Sequence, residues 1–312
     1  MAKPILIGYD PNEKDHSPVD FGVAAARFTG APLIIALVGA TGTLESIGQV
    51  DDDLLTDCVQ VADDIEAELR AAGLPVPVDC KVLQSTSAAR ALLEAAEKED
   101  AGLIVVGSSR RSGVGRVLAG STALRLMHGA PCPVATVPAG WTGRGELSTI
   151  GVGYTDSEEG REALRGAHAL ARNAGATLRV FTVATVKLSA HAETEPTVAG
   201  QRGKDLVDVE GEHRLRAEKD LQRAVAALGA DVPVEVEAFV GDPAETLIRV
   251  SEHLDLLVCG SRGYGPVRAV LLGSVSRRVT AEAHCPVIVL ARGVKAALEE
   301  LMAPEPATAE PV

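Results

Sequence analysis

The sequence predicts an α/β protein of two tandem, doubly wound domains, each built on a five-stranded parallel sheet. Three observations carry this. The chain of 312 residues is long enough for two ordinary domains. Its second half repeats its first. Within each half, short apolar runs alternate with Ala-rich helical stretches, the pattern of strands joined by crossover helices.

The repeat is clearest near the end of each half. Leu118–Pro138 reads LAGSTALRLMHGAPCPVATVP and Leu271–Ala291 reads LLGSVSRRVTAEAHCPVIVLA. Gly120, Ser121, Arg125, Cys132, Pro133 and Val134 meet Gly273, Ser274, Arg278, Cys285, Pro286 and Val287 without a gap. At the front, Ile7-Gly8-Tyr9 meets Val152-Gly153-Tyr154, and Gly30-Ala31 meets Gly175-Ala176. The second copy carries extra residues in its middle.

Taken in order, the strands of the first copy are expected at Pro4–Tyr9, Leu33–Val38, Val76–Leu83, Leu103–Val106 and Val134–Val137. Those of the second are expected at Thr149–Tyr154, Thr177–Val183, Val232–Val240, Asp255–Cys259 and Val287–Leu290. They are continuous apolar or β-branched runs rather than alternations, as for strands covered on both faces. Helices are expected between them, among them Asp57–Ala72 and Arg214–Leu228. Pro138–Glu146, with three glycines, reads as the linker. Lys187–Gly211 is polar and aperiodic and reads as a loop leading into a helix. The domains then span residues 1–140 and 146–295, and 296–312 has the composition of a disordered tail.

Composition narrows the function. Hydrophobic residues make up 46% and aromatics 3%, so the core is aliphatic. A net charge of −13 opposes generic nucleic-acid binding, although a local cluster of N–H groups still holds a small anion. Five cysteines without a CxxC pair point to a reducing, cytoplasmic setting. No apolar run reaches the length of a membrane span. The chain carries no GxxxxGK[ST], no GxGxxG after either first strand, no GxSxG and no HExxH. The seven histidines do not align between copies, and Cys132 and Cys285 read as packing. Asp51-Asp52-Asp53 reads as a solvated loop or helix cap rather than a cation site.

Ligands of doubly wound sheets bind at the carboxyl ends of the strands where the strand order reverses. The loop after the fourth strand of copy two is therefore informative: Gly260-Ser-Arg-Gly263, nine residues, then Gly273-Ser274. Glycine at the strand end permits a turn, at positive φ if needed, and a close ligand approach. Gly273-Ser274 stands at a helix start, where unpaired N–H groups favour anions and Ser274 either caps the helix or donates to a phosphate. Arg262 lies close enough in sequence to add positive charge. Copy one repeats the spacing from Gly107 to Gly120-Ser121, with Arg110 at the second glycine position. A purely structural turn and cap would show the same pattern.

These residues resemble the universal stress proteins, whose G-x2-G-x9-G-[ST] signature Gly260, Gly263, Gly273 and Ser274 match in full. The resemblance covers both halves, and the chain looks like the tandem members common in actinobacteria. It implies the Rossmann-like, adenine nucleotide alpha hydrolase-like fold, and ATP, or AMP or ADP, in the loops, with Mg²⁺ beside the polyphosphate. It also implies nucleoside contacts from an acid ending the first strand and a Val ending the second: Asp10 and Val38 in copy one, Val183 in copy two. Thr122 and Val275, next to the signature serines, join the implied set. In copy two Thr155 replaces the acid and Asp156 follows it. The implied function is regulatory, with slow or no hydrolysis, because no base is placed to activate water. The alternative is a scaffold module with degenerate sites; an adenylyl transferase lacks its His-x-Gly-His here. The two domains are expected to pair through their last strands, leaving surface for a homodimer.

Overall fold

A computed structural model describes residues 2–11, 15–40, 52–108, 121–143, 146–185, 199–261, 273–290 and 298–302. The first half runs β1 (Ile5–Tyr9), α1 (Ser17–Thr29), β2 (Leu33–Ala40), α2 (Asp52–Ala71), β3 (Val78–Ser85), α3 (Ala88–Lys98), β4 (Leu103–Gly107), α4 (Ser121–Gly129) and β5 (Val134–Val137). The second runs β6 (Thr149–Gly153), α5 (Glu158–Ala174), β7 (Thr177–Ala184), α6 (Ala199–Ala226), β8 (Val234–Val240), α7 (Pro243–Val250), β9 (Leu256–Gly260), α8 (Ser274–Glu282) and β10 (Val287–Leu290).

The local chemistry explains the repeated motifs. Gly30 and Gly175 end α1 and α5 in the left-handed region, at φ 70° and 66°, where a side chain would be strained. Each Ala that follows is buried. Ser87, Ser157 and Asp242 cap α3, α5 and α7 by accepting from first-turn N–H groups.

All ten strands form one sheet in the order β3-β2-β1-β4-β5-β10-β9-β6-β7-β8. Within each half the pairs are parallel. The halves meet where β5 and β10 pair antiparallel, Val287 opposite Thr136 and Val289 opposite Val134. One core lies under α1, α2, α5 and α6 and draws on Ile5, Leu33, Val105, Ile150 and Val258. The other lies under α3, α4, α7 and α8 and draws on Leu6, Ile104, Leu126, Leu257 and Val279. The β5–β10 junction makes each core continuous across both halves.

Two expectations are corrected. Helix α6 begins at Ala199, so part of the segment read as a loop is helical. Nor is the chain beyond 296 wholly a loose tail. Leu298 and Leu301 are each 1% exposed, and Glu299–Leu301 forms a 3-10 turn. The Lys3 N–H donates to the Glu300 carbonyl at 3.0 Å, and Lys3 Nζ sits 2.7 Å from the Glu300 carboxylate. Residues 303–312 lie outside the described residues.

Candidate functional site at the strand-order reversals

The order of strands reverses beside β1 in the first half and beside β6 in the second, so the crevices to inspect lie between β1 and β4 and between β6 and β9. The second contains a pocket. Its floor is Gly153, Cys259 and Gly260 at the strand ends, and Leu247 and Val275 supply an apolar wall. Thr155, Ser157 and Ser276 bring hydroxyls to it.

Backbone bonds place Ser157 and Ser276, and Ser157 in turn contacts Thr155. Ser157 accepts from the Gly160 N–H at 3.0 Å, which starts α5, and its Oγ lies 3.2 Å from Thr155 Oγ1. Gly160 is packed so tightly that a Cβ there would stand 2.0 Å from the Thr155 carbonyl oxygen. Ser276, buried in the first turn of α8, donates to the Gly260 carbonyl at 3.1 Å and ties that helix to the end of β9. Gly273 is the N-cap of α8 and, as glycine, brings no side-chain acceptor to the first-turn N–H groups, the place where a helix start favours an anion.

The expected residues are distributed as follows. Thr155, Gly260 and Val275 line the pocket together. Ser274 is the first residue of α8 and exposed; it does not cap the helix, because Gly273 holds that position. Asp156 does not join Thr155. It pairs with Arg161 and, with Tyr154, faces a separate cavity between α5 and α6. Val38 and Val183 are half-buried near the ends of β2 and β7. Asp10 is exposed just after β1. Gly107 ends β4, and Thr122 is half-buried in the first turn of α4. For Ser121 only the backbone, at the start of α4, is described. Arg110, Gly120, Arg262 and Gly263 lie outside the described residues.

The strand-end glycines answer to packing. Neither Gly107 nor Gly260 has positive φ. A Cβ on Gly260 would lie 2.8 Å from the Glu159 carbonyl oxygen, and one on Gly107 would lie 3.2 Å from the Pro18 ring. Glycine at this place lets the first turn of α1 or α5 close over the strand end. Sequence reasoning missed Ser157, Gly160 and Ser276. The first two were legible as a Ser-x-x-Gly helix start; Ser276 was not, since its copy-one counterpart is Ala123.

Cys259 lines the pocket but is no nucleophile, because burial pushes its thiol up to about 12. Among the described residues no group of three or more His, Cys, Asp or Glu is placed to hold a metal. No helix among them is long and apolar enough to cross a membrane.

Comparison with known proteins agrees with this architecture. The model of the universal stress protein family matches residues 1–138 and again 146–291. A universal stress protein of Mycobacterium tuberculosis is 28% identical over 298 residues, covering 92% of this chain and 99% of the relative. One from Thermus aquaticus, 98% covered, is 37% identical over 148 residues, or 46% of this chain. The crystal structure of a universal stress protein from Archaeoglobus fulgidus aligns over 94% of this chain and 100% of its own, with a TM-score of 0.68 at 19% identity. Two matches of one family model, on two halves that share a sheet order and a junction, show that the chain belongs to the universal stress protein family as a tandem member.

Proposed function

We propose that this chain is a cytoplasmic regulatory protein that binds an adenine nucleotide, ATP or else ADP or AMP, at its strand-order reversals. One observation supports the reading: in the second half a pocket floored by Gly260 is walled by the first turn of α8, whose N-cap is Gly273. The donor set fits a polyphosphate. The first turn of α8 from Gly273 and Ser274, with Gly263 and Arg262 in the signature loop, would hold phosphate oxygens. Thr155, Val183 and Val275 would hold the nucleoside side. In the first half the matching set is Asp10, Val38, Gly107, Gly120, Ser121 and Thr122, on domains taken as 1–140 and 146–295. Mg²⁺ would neutralise phosphate charge when bound. Hydrolysis would be slow or absent: Glu159 brings a carboxylate to the described pocket, but the two copies carry no repeated acidic pair beside the loops.

A second reading, a scaffold without nucleotide, is favoured by the turn of Asp156 toward Arg161, which leaves Thr155 at the place of the first-strand acid. One experiment separates the two. Protein purified without added ligand is denatured and the released small molecules are analysed, alongside calorimetry with ATP and Mg²⁺. Released adenine nucleotide with saturable binding supports the first reading. Neither, from folded protein, establishes the second. Gly273→Asp places a carboxylate at the helix start and is expected to abolish binding in the second half; unchanged stoichiometry and affinity would move the phosphate site elsewhere.

A further inference from the structure

The loop after β6 alternates its side chains between two spaces. Thr155 and Ser157 face the pocket just described, whereas Tyr154 and Asp156 face a cavity of about 370 Å³ between α5 and α6, on the other side of the loop. That volume lies within the range of small-molecule sites, about 300–1,000 Å³. Its floor is apolar: the Tyr154 ring and Leu164, both nearly fully buried, with Ala224 and Leu228 from α6. Its rim carries Arg161, Arg165 and Arg223, each paired with a carboxylate, Asp156, Glu162 and Asp220 in turn.

We propose that this cavity binds a small amphipathic organic anion, an aliphatic monocarboxylate in chemical class, with its chain on the Tyr154–Leu164 floor and its carboxylate on the arginine rim. Each rim arginine has an acidic partner, Asp156, Glu162 or Asp220, in a pair that is at least partly exposed. Exposed pairs of this kind contribute little, and a guanidinium has five donors, so an incoming carboxylate exchanges for or joins the resident one. The first half argues that the arginines are not a requirement of the fold. There, among the described residues, the symmetry-related Tyr9 has Asp15, Asp10 and Glu68 near it and His16 against its ring, and burial first and these carboxylates second push its hydroxyl up. Around Tyr154 burial again pushes the hydroxyl up first, and Arg161 opposes the effect of Asp156 and Asp220. One duplicated frame thus carries acidic surroundings in one copy and an arginine rim in the other.

The test uses the full chain with ¹³C-labelled Leu and Val methyls, titrated with sodium octanoate, octyltrimethylammonium and octyl glucoside. Octanoate is expected to give saturable shifts centred on the Leu164 and Leu228 methyls, with at least about fivefold weaker binding of the cation and the glucoside. Arg165→Glu with Arg223→Glu should weaken octanoate by about tenfold and strengthen the cation. Ala224→Phe fills the floor without altering charge and should abolish the shifts; if it fails to fold, the arginine pair on the exposed rim carries the test. Equal binding of octanoate and the cation, shifts spread over unrelated methyls, or a double variant with parental octanoate affinity would each overturn the assignment.

Discussion

Gly160→Ala is expected to destabilise the protein even though it improves helix propensity, because of where its methyl must go. The residue lies in the first turn of α5, donates its N–H to Ser157 and is buried. A Cβ there would stand 2.0 Å from the Thr155 carbonyl oxygen and 3.0 Å from the Thr155 carbonyl carbon and nitrogen. All three are backbone atoms, so no rotamer change relieves the contact. Overpacking of a tight site costs about 1–3 kcal/mol, and a clash this close with backbone belongs at the upper end. Alanine in a helix returns about 1 kcal/mol over glycine, leaving a net loss of about 2 kcal/mol. Gly211→Ala supplies the control. It makes the same substitution inside α6, where a Cβ meets nothing within 4 Å, and should gain about 1 kcal/mol. Urea unfolding of parent and both variants, with unchanged slopes, should show midpoints displaced in opposite directions. A Gly160→Ala midpoint at or above that of the parent would refute the reasoning. The shifted Thr155 should also weaken nucleotide binding in the second half.

Three further outcomes follow from the packing. Thr136 sits in β5, 2% exposed, and its hydroxyl finds no hydrogen-bond partner among the described residues; the aligned residue of the second copy is Val289, so Thr136→Val should stabilise by about 1 kcal/mol in urea unfolding. Leu301→Ala should cost about 2–4 kcal/mol and expose the segment around Leu298 to protease, because Leu301 is fully packed against Gly102 and Lys3. Burial holds the thiols of Cys132 and Cys259 at about 12, that of Cys80 at about 11 and that of Cys285 higher still, so native protein should resist iodoacetamide at pH 8 while unfolded protein reacts. Thiols whose folded pKa is raised above the ordinary value near 9 hold their stabilising contribution below pH 9 and lose it as pH climbs toward 12. The urea midpoint should therefore fall between pH 8 and pH 10; a flat profile would refute the linkage.

The sheet was legible because its strands are short continuous apolar runs and because the chain states them twice. The left-handed caps at Gly30 and Gly175 were visible as an aligned Gly-Ala, since only glycine adopts that φ cheaply. Boundaries moved where local signals compete. Pro233 holds β8 back to Val234, and α6 extends to Ala199 through a segment whose polarity reads as loop. At the site, residue types were visible and directions were not. Alternation along the loop after β6 turns Thr155 inward and Asp156 outward, and nothing in the two letters distinguishes them before the register of β6 is known. Gly260 was identified for a reason the packing revises: the neighbour that excludes a side chain is the Glu159 carbonyl.

The antiparallel junction decides how the two crevices relate. Every strand of one half runs opposite to every strand of the other, so the carboxyl ends of β1 and β4 lie at one edge of the sheet and those of β6 and β9 at the opposite edge. Two strands, β5 and β10, stand between β4 and β9, a lateral step of about 14 Å at the usual strand spacing. One nucleotide cannot bridge the crevices, and any coupling between them must pass through the β5–β10 seam and the shared cores. The same geometry explains the two connecting segments. The chain leaving β5 is already at the edge where β6 begins, and its Trp141 packs edge-on against Phe21 of the first half while Leu147 is buried ahead of β6. The chain leaving β10 is already at the edge where β1 and β4 begin. There Leu298 packs on Gly166 of α5, Leu301 packs on Gly102 and the Glu300 carbonyl takes the Lys3 N–H. The C-terminal segment is thus the symmetry counterpart of the linker, crossing to the opposite half at the opposite edge. Two buried leucines hold it there, which its Pro- and Glu-rich neighbourhood in sequence conceals.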